Sequence, residues 1–189
     1  MIQETIVTSL SINAVCHIAP MGIHVLDNGQ MLIMPFRPST TLENILATGY
    51  GVLSHSDDVR VFAGCLTERR QWPLTDSERV PVPRLADCLS HVELKLVKVE
   101  DDDVRPKLYC GVIHTANHAP FLGFNRAQHA VLEAAILVSR LTLLPWEKVS
   151  SELDYLRIGF EKCAGPREWE AWAWLMEKIE AHRAGFGST

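Results

Sequence analysis

Hydrophobic positions recur with a period of two through the first two-thirds of the chain and near 3.6 through the last third. Strands are therefore expected first and helices after them. Residues 4–10 mix polar and apolar positions with β-branched side chains, a strand pattern. Residues 17–26 form a second extended run, interrupted by Pro20 and Gly22. A bulge or a ligand contact is expected there, because proline cannot donate to a ladder and glycine lets another group approach the backbone. Asp27, Asn28 and Gly29 form a hairpin turn signal before the returning strand at 30–36. A short helix over 41–47 follows, with Gly49 as its left-handed cap. The stretch 50–55 reads as a strand, and Asp57 and Asp58 can cap a short helical turn through Val61 and Phe62. Residues 68–84 carry Pro73, Pro81 and Pro83 amid charges, a long loop of the kind that serves as a lid or partner contact. Next come two β-patterned runs. In 88–99, Val92, Leu94 and Leu96 face one way and Glu93 and Lys95 the other; 105–115 returns after the acidic turn at 101–103, completing a hairpin.

The helical pattern begins after Gly123. Ala127, Ala130, Val131, Ala134, Leu137, Val138 and Leu141 make an apolar stripe, with Asn125 placed to cap it. Pro145 opens a second helix as its first residue, with Val149, Leu153, Leu156 and Phe160 on its buried face. Gly165 ends that helix and Pro166 opens a third, which turns Trp169, Trp172, Leu175, Met176 and Ile179 inward. The expected organisation is α+β: a β domain over 1–120 and a three-helix subdomain over 121–189. A helical tail of about 65 residues is small for independent stability, so it is expected to pack on the β domain or on a second subunit.

Composition changes this picture little. The chain has 189 residues, 47% hydrophobic and 22% charged, ordinary for a globular protein. A net charge of −5 argues against a nucleic-acid surface, which needs a basic face. No apolar run approaches the roughly 18 residues that span a bilayer. The first residues carry no basic stretch ahead of an apolar one, so no secretory signal is expected and the location inferred is cytoplasmic. The five cysteines are widely spaced with no CxxC pair, as reduced, packed thiols would be.

The richest candidate chemistry lies at 35–44. The apolar run 31–34 stops at Pro35; Arg37 follows, then Ser39, Thr40 and Thr41, then an amphipathic run. A cation and hydroxyls where a strand gives way to a helix can hold a phosphate, because the N–H groups of the first helical turn are unpaired and the dipole favours an anion. The alternative is that Ser39 or Thr40 only caps the helix. Asn125, Arg126 and His129 sit at another helix start; Arg126 and His129, three apart, share one face and can contact an anion or a heterocycle, or simply form a capped first turn. His114 and His118 have the i, i+4 spacing of two metal ligands, but they lie at a strand end with no HExxH motif or evident third ligand. No metal is expected, at those histidines or at 101–103. Cys16 and His17 are neighbours on a strand and point to opposite faces, a poor nucleophile–base pair. No GxSxG elbow, P-loop or GxGxxG is present, and no side chain stands out as a general acid or base.

Taken together, residues 4–8, Ala19 to Gly22, 35–44 and 123–136 resemble the DUF447 proteins, a group related to the FMN-binding split-barrel flavoproteins (flavin reductases and pyridoxamine-phosphate oxidases). The resemblance runs in order from Glu4 to about Ile179. The chain departs from the family pattern in having Leu42 where an aromatic residue is usual, and Lys162, Cys163, Ala164 and Gly165 where Lys-Thr-Gly-Gly is usual. The resemblance implies a six-stranded, mostly antiparallel, Greek-key-like split β-barrel that binds FMN noncovalently at a homodimer interface, braced by the helical tail. It places the phosphate on Arg37, Ser39, Thr40 and Thr41 and the isoalloxazine ring against Pro20, Met21 and Gly22. Thr8, His55, Asn125, Arg126 and His129 complete the implied cofactor set. The implied activity is an oxidoreductase passing electrons between a small-molecule donor and acceptor. The alternative is a flavin carrier or sensor without turnover, or an accessory protein of methanopterin-linked one-carbon metabolism. Neither nucleic acid nor membrane is an implied partner.

Overall fold

The computed structural model describes residues 1–186. The chain divides into two compact units: Met1–Ser56 with Gln71–Phe121, and Asp57–Arg70 with the chain from Leu122 onward.

The first unit is a closed barrel of six antiparallel strands. β1 (Ile2–Leu10) pairs with β2 (Cys16–Val25) residue for residue, from Ile2 opposite His24 to Leu10 opposite Cys16. The bulge expected at Pro20 and Gly22 is not there. The reason is positional: β2 meets its second neighbour, β3 (Met31–Ile33), only through His24 and Val25. At Pro20 the strand has a single partner, so a missing N–H can face away from the ladder. The hairpin turn is as expected, with Gly29 at φ 79°. After β3 comes α1 (Thr40–Thr48), capped by Ser39 and closed by Gly49 at φ 79°. β4 (Tyr50–His55) then pairs with β1 at Ile6, Val7 and Thr8. The second unit's first helix, α2 (Val59–Leu66), interrupts the barrel sequence. The proline-rich segment is not formless: it carries the two-stranded pair β5 (Leu74–Thr75) and β6 (Arg84–Leu85). Two long strands, β7 (Ser90–Glu100) and β8 (Lys107–Asn117), form the hairpin, with register shifts after Glu93 and Leu96. β7 joins β4 and β8 joins β3, which closes the barrel.

Val7, Ile23, Ile33, Leu53, Val92, Leu94, Leu108 and Cys110 form the barrel core, and Leu42 and Ile45 of α1 enter the same cluster. Strand alternation therefore turns Thr8, Val52, Ser54, His91 and Glu93 outward. These residues are nevertheless buried. The segment before β7 covers them: Val80 and Val82 pack on Val52, Leu85 N–H donates to Ser54 Oγ at 3.2 Å, and Thr8 Oγ1 donates to the Pro83 carbonyl at 2.6 Å.

The second unit is α2 with α3 (Arg126–Val138), α4 (Trp146–Cys163) and α5 (Pro166–Phe186). Its core is the expected stripe of α3, the four apolar positions of α4, and Trp172, Leu175 and Ile179 of α5, joined by Val59 and Ala63 of α2. Phe160 stacks on Trp172 at 4.4 Å and meets Trp169 edge-on at 4.6 Å between ring centroids. Trp169 does not turn fully inward; it keeps 49% of its surface exposed. Pro145 caps α4 from outside instead of occupying its first turn. Among the described residues, no helix is long and apolar enough to cross a membrane.

Candidate functional site

The junction between β3 and α1 collects the hydroxyl cluster. Ser39 is the N-cap: its backbone is extended and its Oγ accepts the Leu42 N–H at 3.3 Å. Thr40 is exposed, whereas Thr41 is 1% exposed and its Oγ1 has no hydrogen-bond partner among the described residues. A buried hydroxyl left unpaired costs free energy, so it marks a position where a ligand atom is missing or where strain is tolerated. Behind it, the Asn44 side chain donates to Ser9 Oγ at 3.1 Å in a fully interior contact. Arg37 is on the surface. Its N–H donates to the Val104 carbonyl at 2.9 Å, and its guanidinium pairs with Asp101 at 2.7 Å. Both partners are open to solvent, and such pairs contribute about 0–1 kcal/mol, so an incoming dianion can displace the carboxylate at little cost.

The remaining implied cofactor residues belong to both units. Pro20, Met21 and Gly22 lie on β2, opposite Ile6, Thr5 and Glu4. Met21 packs against the barrel core, where α1 also sits. The side of Gly22 where a Cβ would project is filled by Ile2 Cγ2 at 3.0 Å and Glu4 Oε1 at 3.2 Å. Thr8 is enclosed beneath the segment before β7, as described above. His55, half-buried at the end of β4, shares a 2.9 Å contact between its Nδ1 and Ser90 Oγ. Burial, and next the nearby His91, lower its pKa, which favours the neutral imidazole. In the second unit, Asn125 caps α3 by accepting the Ala127 N–H at 2.7 Å and donates to the Cys163 carbonyl at 3.3 Å. Arg126 lies 3.4 Å from Cys163 Sγ, and His129 is exposed.

A second polar cluster was not anticipated from sequence. His91 and Glu93 are fully buried on the outer side of β7. His91 Nε2 lies 2.9 Å from Glu78 Oε2 and 3.2 Å from Glu93 Oε1, and His91 Nδ1 lies 2.9 Å from His118 Nε2. His114, opposite Glu93 in the hairpin, places Nε2 3.6 Å from the same Glu78 oxygen. The Glu93 carboxylate accepts the N–H groups of Glu78 and Arg79, each at 2.8 Å. Burial alone raises the Glu93 pKa, but the Glu78 N–H, the His91 ring and the Arg79 N–H outweigh it, and the net shift is downward. His114 and His118 thus have separate polar neighbours, Glu78 for the first and His91 for the second. The available signal was the i, i+2 spacing of His91 and Glu93, which puts both on one strand face.

A closed antiparallel barrel with a short helix entering its core, followed by a helical extension, is a split-barrel architecture of the α+β class. The chain belongs to the DUF447 family. Residues 3–119 match the model described as the N-terminal domain of a protein of unknown function (DUF447), and residues 125–177 match its companion, described as a protein of unknown function (DUF447). Among solved structures, the chain is similar to the FMN-bound DUF447 protein MM1853 from Methanosarcina mazei, with a TM-score of 0.79, 21% identity and 94% of each chain covered. It is also similar to the 2-nitrobenzoate 2-nitroreductase NbaA of Pseudomonas fluorescens (TM-score 0.55, 23% identity, 61% of this chain and 64% of that one). A third likeness is to the flavoredoxin of Methanosarcina acetivorans (TM-score 0.56, 13% identity, 65% and 72% covered). At these identities the likeness carries the fold. No curated protein matches the chain.

Proposed function

We infer that the protein binds FMN noncovalently, with the phosphate at the β3–α1 junction, and acts as an oxidoreductase between small-molecule partners. One observation carries the reading: among the described residues Thr41 Oγ1 is buried and unpartnered in the first turn of α1, two positions after the capping Ser39 and four after Arg37, whose guanidinium pairs with a solvent-facing carboxylate. Ser39 Oγ takes the Leu42 N–H, and helix geometry leaves the N–H groups of Thr40 and Thr41 without intrahelical acceptors. Those donors, the hydroxyls and Arg37 fit a phosphate monoester. The FMN-bound relative and the flavoredoxin support flavin as the group that carries it. FMN would supply the electron-accepting ring; this chain's residues would bind and orient it. Met21 and its neighbours on β2 are the segment for the ring, because α1 packs against both β1 and β2. A homodimer suits the half-exposed apolar side chains of the β7–β8 hairpin, Val97, Val99, Val112 and Ile113, which a second copy can cover.

Titration of the flavin-free protein with FMN, followed by flavin fluorescence, tests the phosphate assignment. Arg37→Ala is expected to weaken binding by about tenfold or more, the value of a charge-assisted hydrogen bond pair. Unchanged affinity in that variant removes the assignment. Stopped-flow mixing of the FMN-loaded protein with NADH or NADPH then separates a reductase, which bleaches the flavin absorbance, from a carrier, which does not.

A further inference from the structure

The geometry points to a binding site for a divalent cation of the zinc type, formed by Glu78, His91 and Glu93 with His114 beside them, on the covered outer face of β7. One ligand atom from each of Glu78, His91 and Glu93 lies within 4.8 Å of the other two. The measured separations are 2.9 Å from His91 Nε2 to Glu78, 3.2 Å from His91 Nε2 to Glu93, and 3.6 Å from His114 Nε2 to Glu78. Zinc holds nitrogen and oxygen ligands at about 2.0–2.2 Å in a tetrahedron, which sets neighbouring ligand atoms about 3.3–3.6 Å apart. Two of the three separations lie just below that edge length and the third at its upper end, so small side-chain shifts bring the set to it.

The surroundings match what a metal needs. His91 Nδ1 lies 2.9 Å from His118 Nε2, so the imidazole can carry its proton on Nδ1, donate it to His118, and turn a bare Nε2 to a cation. The Glu93 carboxylate is oriented by the two backbone N–H groups it accepts. Glu78 is 44% exposed, which leaves the ion a way in, while His91 and Glu93 hold it from a dry side. Charge argues the same way. Two carboxylates converge on one imidazole nitrogen, and even a charged imidazolium offsets only one of them. A divalent cation balances both. The competing account is a hydrogen-bonded latch with no ion, in which His91 alone links the two carboxylates. With the ion present, Glu78 becomes a clasp that holds the segment before β7 against the barrel.

The test uses the full chain after dialysis against EDTA, titrated with zinc chloride at neutral pH and monitored by calorimetry and metal analysis. One zinc per chain is expected. Glu78→Ala removes a ligand and keeps the backbone N–H that Glu93 accepts, so that anchor of the loop stays in place. It is expected to weaken zinc binding at least about tenfold, since even loss of an outer partner costs that much. His114→Ala is expected to weaken it less. Zinc should also slow tryptic cleavage after Arg79 in the native sequence and leave cleavage of Glu78→Ala unchanged. Absence of stoichiometric binding, or equal affinity in the native sequence and Glu78→Ala, overturns the site and leaves the latch.

Discussion

Among the described residues the Thr41 hydroxyl sits in a buried first turn with no hydrogen-bond partner, while Ser39, two positions earlier, accepts the Leu42 N–H as the cap. Replacing it with valine keeps the β-branched shape and removes the orphan. In the ligand-free protein, Thr41→Val is therefore expected to be stabilising by about 1 kcal/mol, because no hydrogen bond is lost and a desolvated hydroxyl is removed. If the hydroxyl serves a phosphate, the same variant binds FMN more weakly. Urea unfolding and flavin titration of one preparation give both numbers; a variant that is less stable and binds FMN as before would mean that Thr41 has a protein partner. The helix start and its hydroxyls were legible in sequence. Which hydroxyl caps and which is stranded was not, because that depends on where α1 meets the barrel interior.

At the scale of elements, the short helices show how caps written in sequence become stability. α2 begins at Asp58, whose carboxylate accepts the Arg60 N–H at 3.1 Å and forms an ion pair with the Arg60 guanidinium at 2.6 Å. Burial raises the Asp58 pKa, but the hydrogen bonds and charge of Arg60, with Arg167 beyond, lower it more, so the folded value lies below the ordinary 3.8. The unfolded chain therefore takes up the proton first. The cap contributes fully above about pH 4, and its contribution is lost as pH falls toward the folded value. Asp58→Ala is expected to cost about 1 kcal/mol at pH 7. The gap between it and the native protein should close in acid, which thermal melts at pH 7 and pH 3 measure. The expected helical turn through Val61 and Phe62 proved to be an eight-residue helix. Its sequence is too short and too uniformly apolar to fix a period, and its length comes from burial of Val59 and Ala63 in the helical core.

For the whole molecule, the two units carry natural reporters. Cys110 lies in the barrel core and Cys65 in α2, both about 1% exposed. Burial pushes the Cys65 thiol up to about 11 and the Cys110 thiol up to about 12, so neither is a thiolate at pH 8. Both are expected to resist a thiol reagent in the native state and to react only through unfolding. In rising urea, labelling of Cys65 reports the helical unit and labelling of Cys110 the barrel. Mass spectrometry of the two peptides measures each. Rapid reaction of either thiol without denaturant would contradict its burial.

The sequence by itself determined the local devices: the turn at Gly29, the closing Gly49, the inward faces of β7, α3 and α4, and the hydroxyl-rich helix start. Each of these is set by backbone geometry and by periods of two or 3.6, which neighbouring residues express without help. The tertiary structure alone decided barrel closure, the placing of α2 with the distant helices, and the convergence of Glu78 with His91, Glu93 and His114. Those depend on contacts between residues far apart along the chain. Outward-facing strand positions read as solvent-facing until a separate segment folds over them, and that covering is a property of the packed molecule.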